Sequence, residues 1–122
     1  MRLAIGAIIV IVILLGVTLL SGGSKSAQTT QLKLEADAVI YDVRTPEEYA
    51  AGHAKNAKLL PLSDIQEGAL PTEDKNTAIA VYCRSGNRSG QATALLKKAG
   101  FTNITDIGAY SNLRKYRIET TS

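Results

Sequence analysis

Residues 78–89 read Ala78-Ile-Ala-Val-Tyr-Cys-Arg-Ser-Gly-Asn-Arg-Ser89, an apolar run that ends in a cysteine and continues into a short polar and basic loop. An apolar run of this kind predicts a central strand over residues 78–83, covered on both faces of a sheet. Residues 89–99 then carry apolar side chains at helical spacing, and Gly100 is placed to end that helix. The loop therefore joins a strand end to a helix start, where backbone amides and the helix dipole favour an anion.

Cys83 is the only cysteine of the chain, so it cannot form an internal disulfide or complete a metal site by itself. It is therefore either an inert buried residue or a reactive one. Its neighbours include Arg84, Ser85, Arg88 and Ser89, and such a basic, polar setting favours a reactive thiolate. We predict that Cys83 is a nucleophile, and we predict no metal site and no cofactor.

The rest of this region alternates between strand-like and helix-like segments. Ser63 with Gln66 has the spacing of a capping box and predicts a short helix near residues 64–69. Further strands are predicted over residues 38–43, 58–62 and 101–107. The alternation predicts a small α/β domain with a parallel sheet flanked by helices. Ligands of such sheets bind at the carboxyl ends of the strands, where Cys83 falls.

A second capping signal follows the first strand. Thr45 is a good N-cap, Pro46 suits the first helical position, and Glu48 has the spacing of the return partner in a capping box. Gly52 is placed to end this helix.

The N-terminal part of the chain has a different composition. Residues 3–20 form an apolar stretch without a charged residue that would reach about 27 Å as a helix, against a bilayer core of roughly 30 Å. We predict a hydrophobic helix that is either a retained transmembrane anchor or a signal peptide, over residues 1–21. Residues 22–31 are rich in Ser, Gly, Thr and Gln and predict a flexible linker. The α/β domain is then predicted over residues 32–118.

The length of the apolar stretch favours an anchor, since the apolar region of a signal peptide is usually roughly 7–15 residues. Residues 21–24 nevertheless offer small side chains where a peptidase could cut. Arg2 and the amino terminus predict a cytoplasmic N-terminus and a domain outside the cytoplasm, although Lys25 and Lys33 lie on the other flank. The predicted location is thus membrane-anchored and extracytoplasmic, or exported or periplasmic if the leader is cleaved.

Charge argues against nucleic acid as a partner. Of the 14 basic residues, Arg2 and Lys25 lie in the N-terminal segment, which leaves 12 against 11 acidic residues for the rest of the chain. A nearly neutral domain lacks the basic footprint of a nucleic-acid-binding protein.

Three stretches together resemble the single-domain rhodaneses, and the resemblance covers nearly all of residues 35–110. They are Ile40-Tyr-Asp-Val-Arg-Thr-Pro-Glu-Glu-Tyr-Ala-Ala-Gly-His53, Val81-Tyr-Cys-Arg-Ser-Gly-Asn-Arg-Ser-Gly90 and Leu95-Leu-Lys-Lys-Ala-Gly-Phe101. The resemblance implies a rhodanese fold and a thiosulfate sulfurtransferase activity. In that chemistry the thiolate takes a sulfane sulfur from a donor such as thiosulfate, becomes a persulfide, and passes the sulfur to a thiol or cyanide.

The residues of the loop fit this chemistry. A persulfide carries negative charge on its outer sulfur and needs several converging donors, which the amides of residues 84–89 would supply. Arg84 and Arg88 are placed to hold an anionic donor, and either could lower the pKa of Cys83. The predicted substrate-binding residues are Arg84, Ser85, Gly86, Asn87, Arg88 and Ser89.

Supporting residues follow from the resemblance. Asp42 and Arg44 match the Asp-x-Arg element of the family, and we expect them to support the active loop or its neighbours. His53, the only histidine, could act as a general base. The resemblance places it in a turn after the first helix, which favours a structural role.

Other functions remain open. A noncatalytic persulfide carrier or protein-binding module would use the same loop and transfer sulfur to a protein acceptor. Phosphatases that resemble rhodaneses carry Cys-x5-Arg, whereas Cys83 to Arg88 is Cys-x4-Arg. The shorter loop favours sulfur transfer over phosphatase or arsenate reductase activity, because it leaves little room for a larger oxyanion.

The chain also departs from the family pattern. Residues 54–57 replace an apolar-Pro-Gly-Ala segment. Gly108-Ala109 replaces a double glycine, and Leu113 stands near an expected tryptophan. We therefore expect the last helix to be short or differently packed.

Overall fold

The computed structural model describes residues 32–122. The predicted N-terminal hydrophobic helix and the linker of residues 22–31 lie outside the described residues. Among residues 32–122, no helix is long and apolar enough to cross a bilayer. The elements in chain order are β1 (Val39–Asp42), α1 (Pro46–Ala51), β2 (His53–Ala54), β3 (Lys58–Leu59), α2 (Leu62–Gln66), β4 (Ile79–Cys83), α3 (Asn87–Lys98), β5 (Ile104–Ala109), a 3₁₀ helix (Tyr110–Tyr116) and β6 (Thr120–Thr121).

Four of the strands form one parallel sheet in the order β3-β1-β4-β5. The predicted parallel α/β architecture is confirmed. β4 lies between β1 and β5, which explains why its sequence is nearly continuous in apolar residues.

Successive side chains of β4 enter two different cores. Ile79, Val81 and Cys83 belong to the larger core, which includes buried residues of α2 and α3. Ala80 and Tyr82 point to the opposite face, into a smaller core with Ile107, Leu113 and the alanines of the β2–β3 segment. All five residues of the strand are at most 1% exposed. The twofold alternation of a strand thus places the Cys83 side chain on the face covered by α3.

The predicted start and end of α1 are confirmed. The Thr45 hydroxyl accepts a hydrogen bond from the Glu48 amide, and the Glu48 carboxylate accepts one from the Thr45 amide, both at 3.2 Å. Pro46 occupies the first turn, and Gly52 follows the last helical residue.

The predicted cap of α2 is wrong. The helix spans Leu62–Gln66 instead of residues 64–69, its N-cap is Pro61, and no side chain caps it. Leu62 and Ile65 are buried in the larger core. Burial of these two residues, not the Ser63–Gln66 spacing, therefore sets the position of the helix.

Other boundaries shift by a few residues. β3 covers only Lys58–Leu59, and α3 begins at Asn87, two residues earlier than predicted. β5 spans Ile104–Ala109, so it begins three residues later and ends two residues later than predicted. β5 pairs directly with β4, and one extra residue, Ile107, bulges out of β5 between the partners of Val81 and Tyr82.

The last helix is short, as expected, and is a 3₁₀ helix over Tyr110–Tyr116. After it the chain returns to the first half of the domain, where β6 pairs antiparallel with β2. The Lys55 amide also donates to the Glu119 carbonyl at 2.8 Å.

Candidate active site

The Cys83 loop connects β4 to α3 at the carboxyl end of the sheet. Gly86 precedes the first residue of α3 in a left-handed conformation, with φ +104°, which a side chain would strain. The end of β5 and the start of the 3₁₀ helix hold the loop: the Tyr110 amide donates to the Arg84 carbonyl at 3.2 Å, and Ser85 forms a bridge with Ala109. Backbone contacts with residues 109–110 therefore support the loop conformation.

Polar groups of the loop converge on the Cys83 sulfur. The Gly86 amide donates to Sγ at 2.9 Å. The thiol donates to the Ser89 hydroxyl, 3.5 Å away, and that hydroxyl in turn donates to the Gly86 carbonyl at 3.1 Å. Both Cys83 and Ser89 are fully buried. The sulfur, the Ser89 hydroxyl and the backbone of Gly86 thus form a closed ring of hydrogen bonds at the start of a helix.

These contacts change the acidity of the thiol. Burial raises the pKa of Cys83, but hydrogen bonds to the Ser89 side chain and to the amides of Ser89, Gly86 and Ser85 outweigh it, so the net pKa is lowered. A lowered pKa means more thiolate at neutral pH, and the thiolate is the nucleophilic form.

Arg88 does not stand free at the loop. Its guanidinium forms a two-pronged ion pair with the Glu48 carboxylate, with Nη1 to Oε1 at 2.6 Å and Nη2 to Oε2 at 3.1 Å. The hydrogen bond from Arg88 lowers the pKa of Glu48 to about 2. The sequence identified Glu48 as a helix cap, and its second role on Arg88 became visible only in the structure.

The remaining loop side chains point to solvent. Arg84, Ser85 and Asn87 are exposed. The Asn87 side chain accepts a hydrogen bond from Gln91 at 2.6 Å. Of these three, Ser85 contributes to the sulfur through its backbone amide.

Asp42 and Arg44 form a buried ion pair beside the loop strand. Arg44 Nη2 lies 2.6 Å from Asp42 Oδ2, and the same nitrogen donates to the Gly52 carbonyl. Tyr82 donates to Asp42 at 2.6 Å and accepts from the Ala54 amide at 2.9 Å. Burial lowers the pKa of Arg44, but the bonds to Asp42 outweigh it and the net pKa is raised.

This network links β1, β4 and the turn after α1, and none of its hydrogen bonds reaches the Cys83 sulfur. Sequence reasoning missed Tyr82. The available signal was a hydroxyl within a strand predicted to be buried on both faces, since such a group needs a partner.

His53 has both ring nitrogens engaged. Nδ1 lies 2.8 Å from the Tyr49 carbonyl and Nε2 lies 3.3 Å from the Thr121 hydroxyl. The ring stacks on Tyr49 at 3.7 Å between centroids. Its contacts therefore join α1, β2 and β6, and the structure does not bring it into the cysteine loop.

A cleft of about 230 Å³ opens next to the loop, between Thr45, Ser63, Gln66 and Arg88. A second cleft, of about 430 Å³, is lined by residues 32–35 and 116–118 and contains none of the loop residues.

The family model of the rhodanese-like domain matches residues 26–112. A buried parallel sheet and a cysteine ringed by amides at a strand-to-helix loop define this class of protein. The chain belongs to the rhodanese-like domain family.

Two relatives and one solved structure illustrate the family. The chain is 34% identical over 79 residues to thiosulfate sulfurtransferase PspE of Escherichia coli (strain K12), covering 64% of this chain and 76% of that protein. A solved rhodanese with anions from E. coli is 32% identical, with a TM-score of 0.60, over 70% of this chain and 98% of that one. A tRNA uridine(34) hydroxylase of Enterobacter sp. (strain 638) is 34% identical over 89 residues, but these cover 68% of this chain and only 25% of that protein. Relatives named as thiosulfate sulfurtransferases support sulfurtransferase function at the level of the family.

Proposed function

We propose that this protein is a sulfurtransferase that carries sulfane sulfur as a persulfide on Cys83. The observation that carries the proposal is the closed ring around Sγ, with the Gly86 amide at 2.9 Å and Ser89 as second partner. A donor aimed at Sγ stabilises the thiolate, which is the form that attacks the sulfur of the donor. The lowered pKa of Cys83 supports the same role.

The donor is an anion with a protruding terminal sulfur, such as thiosulfate, and the acceptor is a thiol or cyanide. Cys83 is fully buried, so a bulky electrophile cannot approach the sulfur in this loop conformation. Arg88 lines the neighbouring cleft and is paired with Glu48. Arg84 is exposed at the same loop and is available to an incoming anion.

The loop length argues against a phosphatase. Cys83 to Arg88 is Cys-x4-Arg, one residue shorter than the Cys-x5-Arg loop of phosphatases that resemble rhodaneses, so the loop leaves little room for a tetrahedral oxyanion.

The test is the intact mass of the full chain, in a neutral detergent, before and after thiosulfate. We expect a gain of one sulfur atom that cyanide or dithiothreitol removes. The Cys83→Ser variant should show no gain, and Ser111→Ala serves as a control, because it alters an exposed serine outside the cysteine loop.

No mass gain in folded protein with a free thiol would refute the proposal for thiosulfate. A persulfide that forms but passes to cyanide only very slowly would instead favour the persulfide carrier with a protein acceptor.

We further propose that residues 3–20 anchor the domain to a membrane on its extracytoplasmic side; the apolar length of the segment supports this.

A further inference from the structure

The Glu48 carboxylate has two roles, because it completes the capping box of α1 and also binds an arginine of the cysteine loop. Its Oε1 accepts hydrogen bonds from the Thr45 amide and hydroxyl, each at 3.2 Å. The two-pronged contact with Arg88 uses both oxygens. Capping box and ion pair together leave the carboxylate little freedom, and its side chain is only 25% exposed.

Arg88 lies in the first turn of α3, directly after the cysteine loop, and its side chain pairs with Glu48. The hydrogen bond to Glu48 raises its pKa most, and the charge of Cys83 raises it further. A dianion that approaches the sulfur on this side therefore meets an arginine whose charge is already balanced by a fixed carboxylate. Coulomb repulsion from that carboxylate acts twice as strongly on a dianion as on a monoanion at the same place.

We propose that Glu48 is a specificity-determining residue, which by neutralising Arg88 biases the site toward sulfur donors with one negative charge and against dianionic thiosulfate. Organic thiosulfonates are donors of the favoured class. The inference rests on the proposed sulfurtransferase function, and it goes further by naming the charge class of the donor.

The two donor classes undergo the same reaction. The Cys83 thiolate attacks the terminal sulfur, an S–S bond to Sγ forms, and the bond between that sulfur and its sulfonyl sulfur breaks. Its electron pair leaves with sulfite from thiosulfate, or with a sulfinate from a thiosulfonate. The acceptor thiolate or cyanide then attacks the outer sulfur of the persulfide and restores the Cys83 thiolate. The two donors react in the same way and differ in charge, so comparing them tests the effect of donor charge.

Glu48→Gln tests the proposal, because glutamine also completes a capping box, while the negative charge and one of the two acceptor oxygens for Arg88 are lost. The matched control is Glu47→Gln, which removes the same charge from an exposed neighbour in the same helical turn. KM and kcat are measured on the full chain at pH 8 with thiosulfate and with methanethiosulfonate. We expect Glu48→Gln to lower KM for thiosulfate about fourfold or more and KM for the thiosulfonate about twofold, with kcat within about twofold. Glu47→Gln should change neither.

An equal change for both donors, or a rise in KM for both, overturns the proposal, since Glu48 would then only position Arg88. A second measurement separates this outcome from failure of the proposed function. Sulfate and methanesulfonate, which transfer no sulfur, are titrated against the loop amide resonances of the wild type and of Glu48→Gln. A larger gain in affinity for sulfate supports the role of Glu48 even if no persulfide forms, and no preferential gain refutes it even if sulfur transfer is efficient.

Discussion

Ser89 couples the sulfur to the loop backbone, because its hydroxyl contacts Sγ on one side and the Gly86 carbonyl on the other. Hydrogen bonds with Ser89 lower the pKa of Cys83. Ser89→Ala should move the thiol titration to higher pH. Loss of one such hydrogen bond, worth about 0.5–1.5 kcal/mol, predicts iodoacetamide labelling about threefold slower at pH 7. Intact mass follows the labelling unambiguously, since Cys83 is the only cysteine.

The pH dependence of the labelling rate provides the control. Above the pKa of both proteins the thiol is fully ionised, so the labelling rates of Ser89→Ala and the wild type should converge at high pH. A rate difference that is constant over the whole pH range would show that Ser89 governs access to the sulfur and not its ionisation.

Asp42 illustrates the cost of a buried charge that loses its partner. Arg44 is only 7% exposed and depends on Asp42 for its charged hydrogen bonds. Asp42→Asn should destabilise the fold by about 3 kcal/mol, because it leaves the guanidinium buried and uncompensated. Urea unfolding with an unchanged m-value is the measurement. A loss below about 1 kcal/mol would mean that Arg44 rotates to solvent when its partner is removed.

The candidate site shows how far single residues can be predicted. Cys83 and its loop follow from a pattern within a dozen residues, and the structure places the Gly86 amide and the Ser89 hydroxyl in contact with the sulfur. The partner of Arg88 could not be predicted, because Glu48 lies 40 residues away and has a complete local explanation as a cap. Interactions between distant segments leave no periodicity in the sequence.

At the scale of elements, two sequence segments have the spacing of a capping box, but only one of them forms a side-chain cap in the structure. Thr45 caps α1 with a complete capping box, whereas Ser63 makes no cap contact in α2. Thr45→Ala should cost about 1 kcal/mol of stability, and Ser63→Ala, a matched exposed site, should cost less than about 0.3 kcal/mol. Thermal unfolding of both variants checks this. Equal losses would contradict the structural assignment of the caps.

The elements that were predicted well are those with an internal pattern. β4 and α3 have long apolar patterns that agree with their burial. β2 and β6 have two residues each, which is too short for any period, and they exist only because residues 53–54 and 120–121 meet. The bulge in β5 likewise reflects pairing with β4, a contact that a single strand sequence does not encode.

At the scale of the whole molecule, the C-terminal tail closes the domain onto its first half. Deletion of residues 119–122 removes β6 and the contact between Lys55 and Glu119. We expect a loss of about 1 kcal/mol, because exposed backbone bonds contribute little each. Persulfide formation should be unchanged, since the loop is held by residues 109–110. Loss of persulfide formation in folded, truncated protein would show that the tail also supports the site.

The predicted anchor can be tested on the full chain in a bacterial host. Residues 3–20 are close to the length that spans a bilayer and exceed the usual apolar region of a signal peptide, so we expect an uncleaved chain that resists alkaline extraction from membranes. Ile11→Lys places a charge at the centre of the stretch, at a cost of about 2.5–3.5 kcal/mol, and should release part of the protein.

Since Arg2 favours a cytoplasmic N-terminus, protease added to intact spheroplasts should digest the domain. Soluble protein with a shortened N-terminus would identify a signal peptide instead, and protection from protease until the cells are lysed would reverse the topology.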